Sequence, residues 1–100
     1  MCKCYISGKI SGLPYREVLS FFHKAENIVL DAGMAPVSPT KLCQYDDAKK
    51  WEDYMLIDIE ALFKCQHIYM LNNWEDSRGA RIEHNIAKEI GLTITYQENN

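Results

Sequence analysis

The stretch CKCYISGKISGLPY, residues 2–15, decides the fold. Residues 2–7 are a short β-prone run that ends at Gly8, and Gly12, Leu13 and Pro14 punctuate the entry to a segment of helical spacing. In that segment Val18, Phe22, Ala25 and Val29 recur on one face, with Phe21, Ile28 and Ala32 beside them, until Gly33 supplies a stop. The chain therefore opens as a strand, a glycine loop and a helix.

Outward from there the same alternation continues. Residues 35–37 are apolar and bounded by Pro36 and Pro39, which reads as a short second strand running into a polar loop through Asp46 and Asp47. A second helix is expected over residues 48–64, where Tyr54, Ile57 and Ala61 share one face and Met55, Ile59 and Leu62 its neighbour. HIYML, residues 67–71, makes a buried third strand. Residues 72–79 are polar and turn-rich; a third helix then turns Ile82, Ile86, Ala87 and Ile90 inward before Gly91 ends it. LTITY, residues 92–96, is the last strand, and the tail beyond it is expected to fray. Strands alternating with helices over short connections imply an α/β protein with a small parallel sheet of about four strands and helices on both faces. Ligands of such sheets bind beyond the carboxyl ends of the strands, where strand order reverses. The loops at residues 8–12 and 72–79 fall there.

Composition narrows the function. One hundred residues, 47% of them hydrophobic, suffice for one core and one domain over residues 1–100. The formal net charge is −3 and the eleven Lys and Arg residues are scattered, which argues against a nucleic-acid polymer as partner. No run approaches the roughly 18 apolar residues of a membrane helix, and no secretory core opens the chain, so no membrane partner and a cytoplasmic location are expected. Cys2, Cys4, Cys43 and Cys65 lack the paired spacings of a zinc site and read as reduced, small apolar side chains.

Two carboxylates stand out. Glu83 lies four residues after Gly79 and shortly before Ile86 and Ala87, on or beside the inward stripe of the third helix. It reads either as an edge glutamate favoured by the helix dipole or as a working carboxylate. Asp58 lies among Tyr54, Met55, Ala61 and Leu62, and reads either as a structural acid or as the partner of Glu83. Paired carboxylates suit glycosyl transfer, one attacking the anomeric carbon while a protonated partner donates to the leaving group. Tyr5 points toward the same edge, where a phenol could orient a carboxylate. The loop containing Gly8, Lys9, Ser11 and Gly12 has the materials of an anion cradle, as has the helix start at Ser77 and Gly79; a tight connection and plain N-capping by Asp76 or Ser77 are the structural alternatives. Trp51 reads as cover for the core. His84, adjacent to Glu83, diverges from it by about 100° and cannot share a small site with it.

Taken together, YISGKISG, YMLIDIEALFKC, HIYMLNNW and SRGARIEHNIA resemble, in order and spacing over nearly the whole chain, a small uncharacterised family related to nucleoside 2-deoxyribosyltransferases. The resemblance implies a flavodoxin/Rossmann-like three-layer sandwich. It implies Glu83 as nucleophile, Asp58 as the acid on the base side and Tyr5 as the tyrosine that orients Glu83. The stretch from Ser77 to Glu83 also resembles the 2'-deoxynucleoside 5'-monophosphate N-glycosidases, which implies Ser77 as a phosphate ligand. The implied partner is a small-molecule nucleoside or nucleotide, with no metal or organic cofactor and a homo-oligomeric assembly. Arg81 and His84 depart from the pattern. These departures leave the substrate open, and Arg81, with a C-terminal part shorter than in the transferases, favours a rival reading, a non-catalytic nucleotide-binding or sensing module on the same fold.

Overall fold

The computed structural model describes residues 1–42 and 48–98. Four strands, β1 (Lys3–Ser7), β2 (Ala35–Val37), β3 (His67–Met70) and β4 (Thr93–Tyr96), form one sheet in the order β2-β1-β3-β4. Every pairing is parallel. β1 is therefore central, and strand order reverses beside it: the chain leaves β1 for one edge and returns to β3 on the other side.

The helices are α1 (Tyr15–Asp31), the short α2 (Pro39–Leu42), α3 (Trp51–Phe63) and α4 (Arg78–Ile90), with a 3-10 turn at Trp74–Asp76. The two-residue period of the strands divides their side chains between two cores. Cys4, Ile6, Tyr69 and Leu71 meet Val18, Phe22, Ala25 and Val29 of α1. On the opposite face Tyr5, Ile68 and Met70 meet Leu62 of α3 and Ala80 and Ala87 of α4. The layers are thus helix, sheet, helix, as the alternation implies. Each large apolar side chain that is fully buried here, such as Phe22 or Leu62, contributes about 1.5–3 kcal/mol.

Local chemistry moves some boundaries. The expected polar loop after β2 begins with α2, which an ion pair ties to α1: the Lys41 ammonium lies 2.8 Å from the buried Glu26 carboxylate. The rest of that loop, with Cys43, Asp46 and Asp47, lies outside the described residues. α3 begins at Trp51 rather than residue 48 because the Lys50 N–H donates to the Asp53 carboxylate at 2.9 Å, a capping contact that fixes the helix start. β3 stops one residue before Leu71, although the ladder continues through the Leu71 N–H to the Ser7 carbonyl at 2.8 Å. α4 ends at Gly91, whose φ of 82° is the left-handed C-cap conformation.

Candidate active site

The carboxyl end of β1 supplies the floor. Tyr5 and Ser7 are two residues apart, so both project to the face covered by α3 and α4, and both are fully buried. α4 starts beyond the end of β3, with Ser77 as N-cap: its hydroxyl accepts the Ala80 N–H at 3.1 Å. Gly79 lets this helix close on α3, since a Cβ there would lie 3.0 Å from the Met55 sulfur. Its second turn then carries Glu83 over the end of β1.

Glu83 is only 4% exposed, and each of its oxygens accepts one hydroxyl. The Tyr5 phenol donates to Oε2 at 2.7 Å and the Ser7 hydroxyl to Oε1 at 2.7 Å. These are short, charge-assisted contacts of the kind that hold an ionised carboxylate. Burial acts the other way and dominates, raising Glu83 to about 7; the two hydroxyls pull it down and the charge of Asp58 adds a further rise. Asp58, half-buried on α3, is raised by burial to about 6. Burial first, and then the charge of Glu83, push the Tyr5 phenol well above its ordinary value, so it stays a donor. Two carboxyls that change protonation near neutral pH therefore face one space, the condition that acid and nucleophile chemistry requires.

That space is a cleft of about 560 Å³. Of the residues singled out from sequence, Gly8, Ser11, Gly12, Asp58, Ser77, Gly79 and Glu83 line it. Tyr5 reaches Glu83 from behind, beneath the cleft wall. Lys9 lies beside the cleft, on an adjoining hollow of about 230 Å³ that Ser11, Ser77 and Gly79 also border. The Lys9 N–H donates to the Asn73 side chain at 3.0 Å, which binds the loop after β1 to the loop after β3. Gly12 has φ of 86°, a turn that side chains resist. Among the described residues no group of three or more His, Cys, Asp or Glu is placed to hold a metal.

Several side chains stand elsewhere than their sequence suggests. Trp51 is not core cover: it is half-buried, lines both hollows, and carries the Arg78 guanidinium 3.9 Å above its ring. Its position at the first turn of α3, rather than within it, puts it at the rim. Arg81 turns away from Glu83 and donates to the Glu75 carbonyl at 2.7 Å. His84 also faces away, stacked on Trp74 at 4.2 Å with Nε2 2.6 Å from the Tyr96 hydroxyl. Ser7 is absent from the sequence-derived set as a partner of Glu83; the one signal for it is its two-residue spacing from Tyr5.

The fold and the cleft at its switch point define the class, an α/β sandwich shared with a solved 2-deoxyribosyltransferase. That structure, from the psychrotolerant bacterium Bacillus psychrosaccharolyticus, superposes with a TM-score of 0.70 at 18% sequence identity, over 98% of this chain and 77% of that one. The enzyme is described as a biocatalyst for the industrial synthesis of nucleosides. The chain itself belongs to DUF4406, a domain family of unknown function whose model matches residues 2–96. No curated protein matches it. The resemblance carried by the four sequence blocks is thus met in the fold.

Proposed function

We propose that the chain cleaves or transfers the N-glycosidic bond of a 2'-deoxyribonucleoside or its 5'-monophosphate, with Glu83 as nucleophile. The observation that carries this reading is the buried Glu83 carboxylate, gripped through both oxygens at the wall of a cleft that Asp58 shares. A Glu83 oxygen attacks the anomeric carbon as the bond from that carbon to the base nitrogen breaks. The bonding pair leaves with the base, which takes the Asp58 proton, and the sugar remains as an ester on Glu83. Water or a second base then attacks the same carbon from the opposite side, gives its proton to Asp58 and restores the Glu83 carboxylate.

Roles follow from charge. A base seated against Asp58 displaces its water and raises it further, keeping its proton in place for the leaving group. Positive charge developing on the sugar favours ionised Glu83, which the Tyr5 and Ser7 donors already support. Ser11, Ser77 and Lys9, with the glycines Gly8, Gly12 and Gly79 admitting close backbone approach, hold the sugar 5' end or its phosphate. Lys9, Ser11 and Ser77 border one hollow beside the cleft, which supports that assignment. A homo-oligomer is part of the proposal, supported by Leu56 and Phe63, which stand 69% and 58% exposed at seven-residue spacing on α3. The test is release of free base from 2'-deoxynucleosides and their 5'-monophosphates, with and without an acceptor base, beside Glu83→Ala. Exchange of bases identifies a transferase and release to water a hydrolase. Binding without release favours the sensing module.

A further inference from the structure

We propose that Ser7 is a positioning residue for Glu83: with Tyr5 on one carboxylate oxygen and Ser7 on the other, each at 2.7 Å, the plane of the carboxylate is fixed. One donor alone leaves a carboxylate free to turn about its last bond, because the second oxygen can sweep through the cleft. The second donor removes that freedom. Ser7 is suited to it by its surroundings. Its carbonyl accepts the Leu71 N–H at 2.8 Å, and its side chain is fully buried on the central strand. Gly8 follows with no room for a side chain, a Cβ there meeting Leu71 at 2.5 Å, so the backbone that carries Ser7 has little latitude.

A buried hydroxyl is costly in an apolar core unless it is bonded, and alanine would fill the strand position as well. The bond to Glu83 is what the hydroxyl supplies. Its donation favours the ionised carboxylate, and the same hydroxyl can rotate and accept when Glu83 is protonated. The consequence for catalysis rests on Glu83 being the nucleophile; the placement of the carboxylate does not.

The experiment is a pH titration of the Glu83 side-chain carboxyl by ¹³C NMR in glutamate-labelled protein, with the resonance identified by its loss in Glu83→Gln. Ser7→Ala is expected to raise the midpoint by about one pH unit, the size set by one charge-assisted hydrogen bond. Ser7→Thr, which keeps the hydroxyl, is expected to return it toward the wild-type value. If Ser7→Ala does not fold, Ser7→Cys, similar in shape and a weaker donor, is expected to give a smaller rise. A folded Ser7→Ala or Ser7→Cys protein with an unmoved midpoint overturns the proposal. Where the wild type releases base, Ser7→Ala also moves up the limb of the kcat/KM profile that follows Glu83; with Glu83 at about 7 and Asp58 at about 6, and Glu83 ionised while Asp58 is protonated, that is the alkaline limb. Where it releases none but the midpoint moves, the glycosyl-transfer reading fails and the positioning of Glu83 stands.

Discussion

Burial raises the Glu83 carboxyl from 4.5 to about 7, so the fold protonates a group that the unfolded chain ionises. The stability it lends is fully present below pH 4.5 and is lost as pH rises through 7, a cost of roughly 3 kcal/mol at higher pH. Asp58, raised to about 6, acts in the same sense. Thermal unfolding followed from pH 5 to pH 8 should therefore show a falling melting temperature, and Glu83→Gln should flatten that fall. Asp58→Asn should slow base release by about 10²–10⁴-fold on ordinary substrates. A 7-methylated purine deoxynucleoside, whose base leaves without needing a proton, should restore the rate to Asp58→Asn but not to Glu83→Gln. At this scale the sequence is readable where a residue violates its own surroundings. Glu83 and Asp58 stand out as acids on apolar stripes. Ser7 does not, because its partner is 76 residues away and a serine before a glycine reads as the start of a loop.

At the scale of elements, the site depends on how closely the ends of β1 and β3 approach. A Cβ at position 8 would lie 2.5 Å from the Leu71 Cδ1 and 2.9 Å from its Cβ, so Gly8→Ala must push these strand ends apart. The expected cost is about 1–3 kcal/mol in denaturant unfolding, with a loss of activity beyond what stability explains, because Ser7 moves with the strand. Strands and helices themselves are legible. The apolar spacing of α1 and the alternation of β1 with a glycine loop are local signals that tertiary packing does not reverse. The α2 segment is less so: it is a short helix tied down by Lys41 to Glu26, a contact between residues 15 apart that no periodicity announces. Trp51 fails for a related reason. An indole in a helix reads as core, and only the capping contact at Asp53 shifts it to the first turn and the cleft rim.

For the whole molecule, the sheet order β2-β1-β3-β4 places the switch point above β1, and the loops after β1 and β3 meet there through Lys9 and Asn73. Chain order and strand alternation suffice to anticipate a parallel sheet with a cleft at that end. No helix is long and apolar enough to cross a membrane among the described residues. Light scattering coupled to gel filtration should return more than one chain per particle, and Leu56→Glu with Phe63→Glu should reduce it toward one; a monomeric wild type would rule the oligomer out. Attack of Glu83 on a glycosidic carbon is read out by chromatography of purified protein incubated with each 2'-deoxynucleoside and 5'-monophosphate, with and without an acceptor base. Free or exchanged base that disappears in Glu83→Ala is the predicted result. Nucleotide binding without release from any of these substrates would contradict it.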